Sequence, residues 1–268
     1  MIIQKREDVI FLKRISVSML AIILFCLASI SAFAEPSQSW YCVRNNKHLQ
    51  PIVDANLSYV EKYRGIYVDK NHGDNSSDKV VYLTFDAGYE NGNVERILDT
   101  LKEKNVKGAF FILGNLVTKN TDLVLRMAKE GHTVANHTNK HPDMTTKKTK
   151  EDFYNELSAL ERIYTEYTGL TMSRFFRPPE GKFNETTMKY ADELGYYTVF
   201  WSFAYADWDN NKQPSRNEAK KKIMDNVHNG AIILLHPTSK TNADILGEVI
   251  DELKADGFRF GTLDEIVS

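Results

Sequence analysis

The feature that most constrains this chain is a repeated alternation of short apolar runs with amphipathic segments, which starts at Val80 and continues almost to the C-terminus. The first run is VVYLTF, and apolar residues at helical spacing follow it. The runs GAFFIL, HTVAN, YTVFW and AIILL repeat this order. Runs that are apolar throughout are typical of parallel strands covered on both faces. About seven strand-helix units of this kind predict an α/β fold.

Two arrangements of parallel strands and helices are compatible with this pattern. The first is a distorted (β/α)7-8 barrel, and the second is an open, doubly wound sheet. The segment DAGYENG follows the first strand and lacks the G-x-G-x-x-G spacing that a dinucleotide-binding open sheet carries at this place. We therefore predict the barrel.

The first 34 residues have the features of an export signal. Four basic residues precede or border an apolar segment over 15–30, which leads to Ala32-Phe33-Ala34, with small residues at the two positions that a signal peptidase reads. A retained membrane anchor is the alternative, because the apolar segment is near the lower length limit for a bilayer span. We predict a signal peptide over 1–34 and a mature chain that starts near Glu35.

The rest of the chain is predicted to hold an N-terminal extension over 35–78 and one domain over 79–268. The extension lacks sustained periodicity and ends in a polar stretch, whereas the domain is long enough to bury one large core. Cys42 would be the one cysteine left after the signal, so no intramolecular disulfide is expected. The net charge of the whole chain is −2 and becomes more negative without the basic signal, which argues against nucleic acid as a partner.

Ionisable residues stand at or shortly after the ends of five apolar runs: Asp86, His137, Arg177, Asp207 and His236. Each has an ordinary structural explanation when taken singly, since an aspartate can cap a helix, a histidine can be a satisfied core residue and an arginine can pack beside aromatic rings. The active site of such barrels forms at the C-terminal ends of the strands. Five such residues after five strands therefore predict one shared site.

The segment HTNKHP places His137 and His141 four residues apart. On one turn of helix or in a tight loop, both imidazoles can face one cation. Zinc or a similar divalent ion accepts neutral imidazole nitrogen, and a catalytic site keeps an open position for water or substrate. Two histidines do not usually hold a catalytic metal, so a third protein ligand or extra waters are needed. A carboxylate directly after Asp86 would serve, but that position is Ala87.

The motifs TFDAG, HTNKHP, RPPEG, ADW and LLHP occur in the order and approximate spacing of the five motifs of the polysaccharide deacetylase family, the NodB-like family 4 carbohydrate esterases. The resemblance spans about residues 79–265, so the domain over 79–268 resembles a NodB homology domain. It implies a distorted (β/α) barrel that uses a divalent metal, commonly zinc, to remove acetyl groups from N-acetylated sugars or acetylated polysaccharides.

The resemblance also implies a role for each matched residue. Asp86 matches the catalytic base, and Arg177 matches the residue that pairs with this base and orients it. His236 matches the general acid, and Asp207 matches the carboxylate that orients the acid. The same resemblance implies that His137 and His141 bind the metal. It also implies that Trp208 lines the acetyl pocket and that a backbone N–H near Glu180 contacts the oxyanion.

The sequence departs from the family at two positions. Ala87 stands where the family usually has a second Asp, a metal ligand, and Glu180 stands where it usually has an aromatic residue. TFDAGYENG together with RPPEG is similar to a subgroup of sporulation deacetylases that make muramic δ-lactam in the peptidoglycan of the spore cortex. The resemblance implies removal of acetyl from N-acetylmuramic acid after an N-acetylmuramoyl-L-alanine amidase has cut off the stem peptide. Glu180 would contact that substrate or pair with Lys182 or another basic residue.

Two other functions stay open. One is deacetylation of N-acetylglucosamine in peptidoglycan or chitin oligomers, which uses the same chemistry. The other is a non-catalytic glycan-binding module, which the missing ligand at Ala87 suggests. A binding module has no evident need for a base and an acid at opposite strand ends, so we predict an enzyme. The predicted signal peptide and the resemblance together imply that it is exported and acts in the cell envelope, in the spore cortex compartment.

Overall fold

Eight parallel strands form the main sheet of this protein, which we describe from a computed structural model over residues 35–268. The predicted signal peptide lies outside the described residues. In chain order, the strands are β1 (Gln38–Ser39), β2 (Gly65–Ile66), β3 (Val80–Ala87), β4 (Ala109–Ile112), β5 (Thr133–Asn136), β6 (Phe175–Phe176), β7 (Lys182–Phe183), β8 (Tyr197–Val199), β9 (Ala231–Leu235) and β10 (Arg259–Phe260). The helices are α1 (Tyr59–Lys62), α2 (Asn93–Glu103), α3 (Gly114–Lys119), α4 (Thr121–Lys129), α5 (Lys150–Thr168), α6 (Glu185–Glu193), α7 (Arg216–Met224), α8 (Lys240–Ala255) and α9 (Leu263–Val267).

Strand β3 lies at the centre of the sheet and pairs with β4 and β9, while its first two residues also pair with β10. From β4 the order continues through β5, β6 and β8 to β2. Single-residue bridges from Phe203 to Ile233 and from Val68 to Ala231 then link the chain beyond β8 and β2 back to β9. The predicted distorted (β/α) barrel is confirmed.

The alternation of side chains along β3 explains why its sequence is apolar without a break. Val81, Leu83 and Phe85 pack against the surrounding helices, in one hydrophobic cluster with Ile97 and Leu101 of α2. Val80 and Tyr82 face the other way and belong to a second cluster with residues of β4 and β9. Successive side chains of a strand point to opposite faces, so both faces of a covered strand must be apolar. Each such side chain that is buried contributes about 1.5–3 kcal/mol.

The segment predicted as an N-terminal extension packs into the same compact unit as the rest, since residues 36–268 form one unit by their internal contacts. Strand β1 pairs antiparallel with β7, and β2 pairs parallel with β8 in the main sheet. Trp40 stacks on Phe200 with ring centroids 4.3 Å apart. Within residues 35–268, the structure has no helix of the length and apolarity that a bilayer crossing requires.

Candidate active site

The C-terminal end of β3 presents Asp86, and the buried guanidinium of Arg177 lies against it. Arg177 follows β6, is fully buried, and donates from Nη1 to Asp86 Oδ1 over 2.8 Å. Burial alone would raise the pKa of Asp86, but the charge of Arg177, together with His137 and His236, outweighs burial and holds this pKa below its ordinary value. Asp86 is therefore ionised at neutral pH.

Arg177 keeps its charge inside the barrel because its other donors are satisfied. Nε donates to the carbonyl oxygen of Val199 over 3.0 Å, and Nη2 donates to Thr84 Oγ1 over 2.9 Å and to the carbonyl oxygen of Phe200 over 3.1 Å. The guanidinium carbon also lies 4.1 Å from the ring centroid of Phe111, a cation–π contact. A buried charge is tolerated when it is paired and fully hydrogen-bonded.

His137 and His141 lie together in the loop after β5. Their ring centroids are 5.0 Å apart, and the ring planes are inclined by 73°. Nδ1 of His137 is 2.8 Å from the carbonyl oxygen of Arg177, so Nδ1 carries the hydrogen and Nε2 keeps its lone pair. Nε2 is 3.5 Å from Asp86 Oδ2. Burial, partly opposed by Asp86, lowers the pKa of His137 to about 4, so the imidazole is neutral at neutral pH.

The loop that brings the two histidines together is a tight turn with unusual backbone angles. Thr138 has φ 75° and His141 has φ 59°, both in the left-handed region that β-branched and bulky residues rarely adopt. The turn is held by Asn136 Oδ1, which accepts from the backbone N–H of Thr138 over 2.8 Å, and by Thr138 Oγ1, which accepts from the backbone N–H of His141 over 2.9 Å. Such strained residues are often concentrated at ligand sites.

Two imidazoles in this arrangement fit a divalent cation such as zinc, which binds imidazole nitrogen. A carbonyl oxygen that fixes the tautomer of His137 through its other nitrogen is the usual partner of a metal-binding histidine. Within residues 35–268, however, no group of three or more His, Cys, Asp or Glu side chains has the geometry of a metal site. Ala87 stands where a third ligand was expected, and its methyl group has no atom that can bind a metal. This methyl group is fully buried in the hydrophobic cluster that also contains Phe85. His137 and His141 would therefore hold the ion with one protein ligand fewer than expected.

The acid side of the site is built from Asp207 and His236, which follow β8 and β9. Asp207 is almost fully buried, and its Oδ1 lies 2.7 Å from His236 Nδ1 while its Oδ2 accepts from the backbone N–H of His236 over 2.8 Å. Burial disfavours the imidazolium, but the hydrogen bond and the charge of Asp207 outweigh it and raise the pKa of His236 above its ordinary value. Nδ1 is occupied by Asp207, so Nε2 is the atom that can deliver a proton.

Sequence reasoning missed Asn242, which completes this dyad. Its Nδ2 donates to Asp207 Oδ2 over 2.6 Å and to the carbonyl oxygen of His236 over 3.1 Å, and its Oδ1 accepts from the hydroxyl of Tyr205. Asn242 is 1% exposed. A signal existed, because Asn242 stands three and four residues before Ile245 and Leu246 and so lies on the apolar face of α8.

Glu180 and Trp208 are the more exposed of the predicted site residues. Glu180 lies in the turn after β6 with φ 57°, and its carboxylate forms a 2.8 Å ion pair with Lys182, one of the two alternatives that the sequence left open. Trp208 is 61% exposed, and its ring centroid is 6.2 Å from that of His236, so it stands at the rim beside the acid. Both residues remain predicted substrate contacts.

A model of the polysaccharide deacetylase family matches residues 73–199. A solved family 4 carbohydrate esterase has 38% identity to this chain and a TM-score of 0.80, and the match covers 86% of this chain and 97% of that one. The chain therefore belongs to the polysaccharide deacetylase family and is a hydrolase that acts on amide bonds.

That esterase is PdaA of Bacillus subtilis, a peptidoglycan-N-acetylmuramic acid deacetylase. Its sequence is 38% identical to this chain over 250 residues, which cover 92% of this chain and 93% of PdaA. PgdA of Listeria monocytogenes, a peptidoglycan-N-acetylglucosamine deacetylase, is 36% identical over 190 residues, which cover 71% of this chain and 39% of PgdA.

Proposed function

We propose that this chain is an exported, metal-dependent peptidoglycan deacetylase that removes the acetyl group from peptide-free N-acetylmuramic acid. The observation that carries this proposal is the similarity to PdaA over almost the full length of both chains. The N-acetylglucosamine deacetylases that match have lower identity to this chain and cover less of it: PgdA is 36% identical over 71% of the chain, and one from Bacillus cereus is 35% identical over 77%. The stem peptide would be removed beforehand by an N-acetylmuramoyl-L-alanine amidase.

The two halves of the site supply the proton transfers that amide hydrolysis needs. Asp86, held ionised by Arg177, accepts a proton from the water that attacks the acetamide carbonyl carbon. The bond from carbon to nitrogen then breaks, and His236 gives a proton to the departing amine, which is too basic to leave as an anion. Acetate and a free amine are the products. On muramic acid, condensation of this amine with the lactyl carboxyl group, in which a C–O bond breaks and one water leaves, would give the δ-lactam.

A backbone N–H near Glu180 would stabilise the oxyanion, and Trp208 would line one side of the acetyl group. His137 and His141 would hold the metal, which we propose is zinc because imidazole nitrogen is one of its usual protein ligands. When bound, such an ion polarises a carbonyl and lowers the pKa of a water. Elemental analysis of the purified protein, with His141→Ala as the comparison, tests this assignment: the wild type should retain zinc, and equal contents would contradict it.

The test of the substrate uses peptidoglycan digested with and without prior amidase treatment. We expect acetate release from the amidase-treated material, and mass spectrometry should find deacetylated muramic acid or its lactam in the glycan. Asp86→Asn is the control, since it keeps the shape of the side chain but removes the base. Deacetylated glucosamine with unmodified muramic acid would overturn the proposal in favour of a glucosamine deacetylase.

We further propose that residues 1–34 act as a cleaved signal peptide and that the enzyme acts in the cell envelope, in the spore cortex compartment. The sequence support is the basic start, the apolar segment and the Ala32-Phe33-Ala34 end. N-terminal sequencing of the protein recovered from the envelope should begin near Glu35. Recovery of the uncleaved chain from membranes would instead support the retained anchor.

A further inference from the structure

Tyr89 presents an exposed aromatic ring that contacts the loop after β8, the loop that also carries Trp208. It stands three residues after Asp86, in the loop that follows β3. Its side chain remains 45% exposed, so it adds little to the core. Loops that follow the strands of such a scaffold are where ligand-binding residues are concentrated, so an exposed ring three residues after Asp86 is a candidate for ligand contact.

The loop that carries Tyr89 is held in place by neighbours on two sides. Asn210, in the loop after β8, donates from Nδ2 to the hydroxyl oxygen of Tyr89 over 2.7 Å. Asn91 and Asn93 donate from their side-chain amides to the carbonyl oxygen of Thr238, over 2.9 Å and 3.1 Å. Thr238 lies two residues after His236. The ring is therefore anchored to the loops that carry both halves of the acid side, and its position is set before any ligand arrives.

The Tyr89 ring has the chemical character of a side chain that binds a sugar. Saccharides combine hydroxyl groups at the ring edge with apolar C–H faces, and an amphipathic aromatic side chain with few rotatable bonds binds such a face at low entropic cost. Trp208, two residues before Asn210, is a second exposed ring and stands beside His236. Asn210 thus connects the loop of Trp208 to Tyr89.

We propose that Tyr89 forms a stacking subsite for the sugar ring next to the residue that is deacetylated, on the same glycan strand. This inference rests on the proposed function in that it takes a glycan as the substrate, but it does not depend on whether muramic acid or glucosamine loses the acetyl group. The subsite would make the enzyme favour strands over single sugars, because a monosaccharide cannot occupy both positions.

The test compares Tyr89→Ala with Tyr167→Ala, because Tyr167 is also 45% exposed but lies on α5. On amidase-treated glycan strands, Tyr89→Ala should raise KM for acetate release about fivefold, the loss expected for one aromatic contact, with kcat little changed. Tyr167→Ala should match the wild type. Tyr89→Phe, which keeps the ring and loses the bond to Asn210, should raise KM by less than Tyr89→Ala.

A binding measurement separates failure of this inference from failure of the proposed function. The affinity of the same strands is measured calorimetrically for Asp86→Asn and for Asp86→Asn combined with Tyr89→Ala, so that no turnover is needed. Weaker binding by the double variant supports the subsite even where the acetyl group comes from glucosamine. Equal affinities, or an equal rise of KM in Tyr167→Ala, would overturn the subsite while leaving the deacetylase assignment intact.

Discussion

The proposed base, Asp86, and the proposed acid, His236, need opposite charges, and each is paired with one buried residue of the opposite charge. On the base side, a buried cation, Arg177, favours the ionised form of Asp86, whereas on the acid side a buried anion, Asp207, favours the protonated form of His236. In each case the orienting charge is at most 1% exposed and its partner is nearer to the mouth. Burial by itself would favour the neutral form of both reactive groups. One fixed counter-charge beside each group outweighs this effect.

The largest expected effect comes from removing the reactive groups themselves. Asp86→Asn and His236→Ala should each lower kcat for acetate release by about 10²- to 10⁴-fold, because each removes one proton transfer from the reaction. The melting temperature should show that both variants are folded. If either variant retained full activity with added zinc, the assignment of base and acid would be wrong.

The second largest expected effect is a loss of stability when the ion pair between Arg177 and Asp86 is removed. Arg177→Met should lower the free energy of unfolding by about 3–5 kcal/mol, because it leaves Asp86 buried without its partner. Arg174→Met is the matched control, since Arg174 pairs with Glu161 at the surface and should cost at most about 1 kcal/mol. Chemical denaturation measures both. Similar losses in the two variants would show that the buried pair has no special weight.

The third prediction concerns the pH dependence of activity and the pairing of Asp207 with His236. In the proposed mechanism protonated His236 is the active form, and Asp207 raises its pKa, so the wild type should stay active above the pH at which an ordinary histidine loses its proton. Asp207→Asn removes the charge while burial remains, so the alkaline limb of the kcat profile should move to lower pH. Asp209→Asn, at a nearby exposed aspartate, should leave the profile in place. An unmoved limb in Asp207→Asn would contradict the role of Asp207.

The smallest expected effect concerns Asn242, which we regard as a positioning residue. Asn242→Leu removes a hydrogen bond to Asp207 Oδ2 and should cost about 1–2 kcal/mol of stability. It should lower kcat about tenfold, with KM nearly unchanged, because the dyad is less well oriented. A kcat equal to that of the wild type, measured below the melting transition, would limit Asn242 to a structural role.

Much of the fold could be predicted because its longest strands, β3 and β9, are buried and apolar on both faces. The run VVYLTF became β3, and the helical spacing of Val94, Ile97 and Leu101 became the buried face of α2. Strand β2 could not be predicted, because two residues are too few to show a period and its place in the sheet depends on pairing with β8. Propensity is a weak guide where tertiary pairing decides.

The contacts between predicted site residues were predictable in part. The pairings of Arg177 with Asp86 and of Asp207 with His236 agree with the arrangement that the family motifs imply. The acceptors that keep Arg177 charged, the carbonyl oxygens of Val199 and Phe200, carry no side-chain signature and are visible only in the folded chain. The same holds for the backbone contact that fixes the tautomer of His137.

The measurement that tests the opposing counter-charges most directly is an NMR titration of the His236 imidazole, assigned by its absence in His236→Asn. We expect the pKa of His236 in the wild type to lie above the ordinary value of 6.5, and we expect Asp207→Asn to lower this pKa. A wild-type His236 that titrates at or below 6.5, or one that Asp207→Asn does not shift, would contradict the account.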